Sequence, residues 1–260
     1  MTVHALMALT ALGGVAPKPF RLLDIFRKRG GIASWLERRD WKQDATAVSN
    51  EIQNYGTMLQ YARDFQGESW CEDALTEMFA WLDQKQNPET GYWGYDSSSP
   101  WQVSLGVQTG YHLWCLYLYD GRPLQYIEQI IDSCLSTQNA LGGFGVPVNS
   151  SACEDIDSLF PLVCLSFLSD YRRDDIERAL TDAFFWIIAN FNPDGGAVFR
   201  RGEDFRYGHD LMWTRANQSS MFATWFRTLS LAYASRVLST GSLAKLGWGF
   251  PNCPGYQFWR

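Results

Sequence analysis

The chain lacks most of the features that assign a chemistry at sight. It has no basic excess: 22 Lys and Arg stand against 28 Asp and Glu, a formal net charge of −6. Nothing is available to neutralise a phosphate backbone, so nucleic acid is not expected as a partner. Histidine is down to three residues, His4, His112 and His209. The six cysteines form no CxxC pair, and a chain of 260 residues needs no disulfide staples, so reduced thiols and a cytoplasmic location are expected. No run of about 20 apolar residues exists, so no transmembrane segment is expected. GxSxG, P-loop, GxGxxG and HExxH patterns are all missing, and no motif calls for a cofactor.

What is present is apolar and aromatic. Apolar residues make up 46% and aromatics 15%, which is enough for a large core and too apolar for a disordered chain. The stretch from Val3 to Val15 is similar to the apolar part of a secretory signal. It has no basic segment before it and no clear small-residue cleavage site, so a short helix packing on the body is expected.

Three segments of the chain resemble one another: 81–94, 134–145 and 186–199. Their asparagines, Asn87, Asn139 and Asn192, are 52 and 53 residues apart. A fixed period of this size with the same local pattern signals a repeat architecture. In each unit an apolar-periodic helix ends near the Asn, a Gly-rich turn follows, and a second apolar helix comes next. Ile127, Ile130, Ile131, Cys134 and Leu135 fall at helical spacing on one face. The stretch from Leu159 to Leu168 is apolar almost all round, as an inner helix should be. Asn192-Pro193-Asp194-Gly195 is a strong helix stop. A weaker early unit runs from Leu22 to Leu36, broken at Gly30-Gly31, with Ala47 to Tyr61 as its partner. Strand signals are sparse. The expected fold is all-α, a single domain over 1–260 with its clearest repeats at 73–234 and an irregular aromatic tail at 247–260.

The turns Gln138-Asn139-Ala140-Leu141-Gly142-Gly143-Phe144-Gly145, Gln86-Asn87 through Gly91-Tyr92-Trp93-Gly94, and Asn192 through Gly195-Gly196 resemble the QW-type repeats of the terpenoid cyclase and protein prenyltransferase superfamily. That resemblance covers roughly Asp73 to Ala234 and implies an α/α toroid, in which inner helices surround a cavity and the turns collect at one mouth. The fold alone does not imply a function. At 260 residues the chain corresponds to one such toroid, whereas squalene and diterpene class II cyclases place their site between two.

The densest chemical cluster is Cys153-Glu154-Asp155-Ile156-Asp157-Ser158, at the predicted start of an inner helix. Acids at that place can cap the helix. Crowded carboxylates also cannot all ionise, so one keeps its proton near neutral pH. The cluster resembles the Asp-x-Asp-Asp motif of class II cyclases, with Ser158 where the last Asp stands. The resemblance implies Asp157 as general acid, oriented by Asp155 and Ser158. Prenyltransferase beta subunits hold zinc with an Asp-x-Cys pair and a later His. Here Cys153 lies on the wrong side of Asp155 and Asp157, with His209 in the later loop, and no metal is expected.

His112 lies on an inner helix and is either a core residue or a ligand contact. Arg227 sits among Phe222, Trp225, Phe226 and Leu229, and a charge there needs a partner, with Asp155 or Asp157 as candidates.

Three functional readings follow. The first is an isoprenoid-acting cyclase using Asp157, with cations stabilised by aromatics such as Trp93, Trp114, Phe144 and Trp225. The second is a carbohydrate-active enzyme or sugar binder, for which Glu154, Asp155, Asp157 and His112 supply acids and a base. Polar groups at the mouth, His209, Arg215 and Asn217, would then meet the substrate. The third is a non-catalytic module that binds a protein partner. The first two predict a small-molecule substrate, isoprenoid or sugar.

Overall fold

A computed structural model of the protein describes residues 2–238 and 246–259. Its elements, in order, are α1 (Thr2–Ala11), a 3-10 turn (Arg21–Phe26), α2 (Gly31–Glu37), α3 (Trp41–Gln66), α4 (Cys71–Lys85), α5 (Pro100–Asp120), α6 (Ile127–Ser136), α7 (Ala152–Leu165), α8 (Arg173–Ala189), β1 (Phe205–Arg206), β2 (Trp213–Thr214) and α9 (Met221–Ala234). The fold is predominantly helical. Among the described residues the only sheet is the two-residue antiparallel pair β1–β2, inside a segment whose sequence reads as a polar loop. No described helix is long and apolar enough to cross a membrane.

The chain forms two compact units, and the division falls within α5. Unit 1 takes residues up to Tyr95, His112–Tyr126, and the tail from Gly249; unit 2 takes Asp96–Tyr111 and Ile127–Trp248.

In unit 1 the early repeat is present but uneven. Gly30-Gly31 divides the first stretch into the 3-10 turn and α2, with Gly30 in the left-handed region at φ 80°. Asp40 then starts α3 by accepting from Lys42 N and Gln43 N. Val3, Leu6 and Met7 of α1 are buried, and the tail packs on that helix through Tyr256, whose ring stacks on His4. The Tyr256 hydroxyl donates to Gln53 Oε1, and Phe258 meets Tyr119 edge to face.

In unit 2, α7 packs on α6, α8 and α9. Its side chains are buried nearly all round, as its sequence requires. Ile130, Ile131 and Cys134 carry the buried face of α6.

The three Asn-Gly turns have one hydrogen-bond design. Asn139 N donates to Gly143 O at 2.8 Å and Gly142 N to Asn139 O at 3.0 Å. Asn192 N donates to Gly196 O at 2.8 Å and Gly195 N to Asn192 O at 3.0 Å. In unit 1, Asn87 N donates to Tyr92 O at 3.0 Å and Gly91 N to Asn87 O at 2.8 Å. The Gln before the Asn closes the first two turns: Gln86 Nε2 donates to Gly91 O at 2.8 Å and Gln138 Nε2 to Gly142 O at 3.0 Å. Gly91, Gly142 and Gly195 all have positive φ. At Gly142, where φ is +89°, a Cβ would also stand 2.5 Å from Asp182 O, so the turn lies directly against α8.

Candidate functional site: the acidic head of α7

The second Asn-Gly turn delivers the chain to α7, and three acids follow in four positions. The structure gives each a different environment.

Glu154 is the N3 residue of a capping box. Ser151 Oγ accepts from Glu154 N at 3.2 Å, and Glu154 Oε2 accepts from Ser151 N at 2.7 Å. The same oxygen receives Arg200 Nη2 at 2.7 Å. This acid is occupied in starting the helix and anchoring the following loop.

Asp155 is fully buried and saturated with donors. Oδ1 accepts from Phe144 N at 2.8 Å and Ser150 Oγ at 2.7 Å, and Oδ2 accepts from Trp186 Nε1 at 3.0 Å and from Arg227 Nη1. Arg227, itself 0% exposed, also donates through Nη2 to Ser150 O at 3.2 Å and Phe199 O at 3.1 Å. Burial pushes the Asp155 carboxyl up, and the Arg227 charge and the other donors pull it back. Arg227 therefore finds its partner in Asp155. The pair joins the second turn, α7, α8 and α9. Gly143 permits the closeness of this arrangement, because a methyl there would collide with Ser150 Oγ and Trp186 Nε1, two of the donors to Asp155.

Asp157 is the opposite case. Its residue is 5% exposed, and its carboxyl makes no hydrogen bond among the described residues. Burial first, then the charges of Glu154 and Asp155, push its pKa well above the ordinary carboxylate value. Its proton is therefore held more firmly than an ordinary carboxylate's. Ser158, expected to orient it, instead shares a 2.9 Å hydrogen bond with Thr137 Oγ1, and Asp155 is committed to Arg227.

Cys134, Cys153 and Tyr207 all lie within the electrostatic reach of Asp157. The buried Cys134 thiol is pushed up by burial and then by the Asp157 charge, and Cys153 responds in the same way. Tyr207, half-buried, is pushed up by burial first and then by Cys153 and Asp157. Tyr207 follows β1 and packs on Phe222 of α9 at 4.4 Å between ring centroids; Phe205 lies 5.5 Å from Phe222 and 3.9 Å from Phe199. Phe144 is fully buried beside Asp155, and Trp225 stacks on Phe226 at 4.5 Å.

The other candidates lie elsewhere. His112 belongs to unit 1. Ser49 Oγ donates to Thr46 O at 2.9 Å, so its lone pair accepts from His112 Nδ1 at 2.9 Å, and Asn50 Nδ2 approaches Nε2 at 3.4 Å. Burial lowers the His112 pKa to about 4, and the ring is neutral. Trp93 and Trp114 are buried in the same unit. Their indole N–H groups donate to Leu82 O at 2.9 Å and Gly91 O at 3.1 Å, pinning the first turn.

His209, Arg215 and Asn217 are exposed. Asn217 has φ 61°; its Oδ1 accepts from Gly202 N at 2.8 Å and its carbonyl from Asn192 Nδ2 at 2.9 Å, which ties the loop to the third turn. His209 Nδ1 accepts from Leu211 N at 3.1 Å. Among the described residues no group of three or more His, Cys, Asp and Glu side chains is placed to hold a metal ion.

Tyr207, Trp186, Ser150 and Arg200 escaped the sequence reading. Ser151 and Glu154, three apart before an apolar run, are a readable capping signature, and that pairing separates Glu154 from the other acids. Nothing local marks Tyr207, which the β1–β2 hairpin sets against Phe222 of α9. Comparison with protein-family models, with curated proteins and with solved structures gives no match.

Proposed function

We propose that the protein is an enzyme of the terpenoid-cyclase type, built on hairpin repeats of the α/α-toroid kind, in which Asp157 is a general acid toward an apolar isoprenoid. The observation that carries this reading is the isolation of Asp157: a residue only 5% exposed whose carboxyl has no hydrogen-bond partner among the described residues and whose pKa is pushed up by burial and by Glu154 and Asp155. A structural carboxylate in such a place would have a cation or several donors, as Asp155 has.

Basicity selects the acceptor. A carboxylic acid is a weak proton donor toward a bare alkene. An epoxide oxygen is a stronger base, and its opening releases ring strain. Asp157 passes its proton to that oxygen as the carbon–oxygen bond breaks, leaving a tertiary carbocation. The π pair of a nearby alkene then forms the new carbon–carbon bond. A final proton loss returns the carboxyl to its acid form. Tyr207, Phe205 and Phe222 offer ring faces to the migrating charge.

The test is incubation with neutral polyprenyl epoxides, with polyprenyl diphosphates in parallel, followed by mass spectrometry. Cyclised isomers of the epoxides should form with the native protein. Asp157→Asn should reduce the rate at least about 100-fold, the usual scale of a general acid, while melting no lower than the native protein at pH 7. Epoxide turnover that Asp157→Asn leaves intact, or no turnover of any epoxide, would overturn the reading.

A further inference from the structure

Unit 1 contains a second place with ligand chemistry, unrelated to the acids of α7. A cleft of about 280 Å³ is lined by Glu37, Trp41, Trp81, Lys85, Trp93 and Gly94. Four pieces of local structure build it. Glu37 ends α2. Trp41 is the first residue of α3, set there by the Asp40 cap. Trp81 and Lys85 lie one turn apart on α4. Trp93 and Gly94 close the first Asn-Gly turn. A Cβ at Gly94 would collide with Ala45 of α3, so glycine lets this turn come down beside Trp41.

We propose that this cleft binds one ring of a neutral carbohydrate. Trp41 and Trp81 present nearly parallel rings, 5.8 Å between centroids and 25° apart, and both side chains are partly exposed. The Glu37 carboxylate is aligned at the rim by Trp81 Nε1 at 2.7 Å and by Lys85 Nζ at 3.7 Å. The indole N–H of Trp41 is enclosed and has no acceptor, although a buried indole N–H nearly always finds one. The cleft thus combines flat apolar faces with an acceptor, a cationic donor and an unused neutral donor.

Charge narrows the ligand class. An aromatic cage for a cation is the obvious alternative, but a cationic ligand would be repelled by the Lys85 ammonium, whose Nζ lies 5.4 Å from the Trp81 ring centroid. An anion would meet the Glu37 carboxylate at the rim, which is 64% exposed. A neutral polyol avoids both repulsions. Its C–H face stacks on indole, and its hydroxyls both donate and accept, matching Glu37, Lys85 and the Trp41 N–H. The volume is just below the ~300–1,000 Å³ of sites for drug-sized ligands, which suits one sugar ring better than a longer chain.

The experiment is ligand-observed saturation-transfer NMR with a fluorescence titration, using methyl glycosides of glucose, galactose, xylose and N-acetylglucosamine, with choline and acetate as charged probes. At least one glycoside should saturate with a Kd in the millimolar range, about −4 kcal/mol. Trp81→Ala should weaken it about tenfold or more, the effect of a stacking anchor. Glu37→Gln, at an exposed position, and Trp41→Phe, which keeps a ring and loses the N–H, should each weaken it severalfold. These two variants keep the test valid if Trp81→Ala fails to fold. Asp157→Asn should bind the glycosides as the native protein does. The proposal is overturned if no glycoside saturates below about 50 mM, if choline binds more tightly than every glycoside, or if neither Glu37→Gln nor Trp41→Phe changes the affinity.

Discussion

Replacing Arg227 by methionine tests the central reasoning about unit 2 most directly. The guanidinium is wholly buried, contacts Asp155, and donates to two backbone carbonyls, Ser150 O and Phe199 O. Methionine matches its length and apolar stem but supplies no donor. Asp155 would keep Phe144 N, Ser150 Oγ and Trp186 Nε1, while its negative charge would stay inside the protein without a cation. Breaking a buried pair from one side costs about 3–5 kcal/mol. With a melting shift of roughly 2–4 °C per kcal/mol for a protein of this size, Tm should fall by about 6–20 °C. The assay is calorimetric and urea unfolding of Arg227→Met, Asp155→Asn and the double variant at one pH. The double variant should recover much of the loss, with a coupling energy above about 2 kcal/mol. A single-variant loss below about 1 kcal/mol, or simple additivity in the double variant, would refute the claim that this pair organises the site.

Two further outcomes are expected. The folded pKa of Asp157 lies well above its unfolded value, so the native state binds this proton more tightly. The corresponding stability is fully present below about pH 4 and is lost as pH rises toward the folded pKa, at no more than about 1.4 kcal/mol per pH unit. Asp157→Asn should therefore gain stability relative to the native protein as pH rises above the unfolded pKa of about 3.9; melting curves that stay parallel with rising pH would remove the raised-pKa assignment. Gly143→Ala should cost about 1–3 kcal/mol by overpacking against Ser150 and Trp186, and an unchanged urea midpoint would show that the turn does not need its glycine.

Much of the local architecture was legible before any coordinates. The spacing of Asn87, Asn139 and Asn192 located three turns that share backbone hydrogen bonds, because a left-handed residue after a helix stop demands glycine at a set distance. The helices before and after each turn followed from apolar periodicity. The first stretch was less readable: Leu22 to Leu36 became a 3-10 turn and a short α2, since Gly30 enters the left-handed region and interrupts the helix. The β1–β2 pair was invisible, as two residues are too few to show an alternation.

The sequence by itself determined the repeat, the predominance of helix, the turn chemistry and the presence of an acidic cluster at the head of α7. Each is a local property, set by residues a few positions apart. Only the tertiary structure decided what the three acids are. Glu154 is a cap, Asp155 is bound to an arginine 72 positions away, and Asp157 has no such partner and a carboxyl pushed up by burial. Sequence neighbours point to different sides of a helix, and the cost of a charge depends on what lies on its side. For the same reason nothing along the chain joins Trp41 and Trp81 to Trp93, and only the folding of α2, α3, α4 and the first turn onto one another makes them the walls of a cleft.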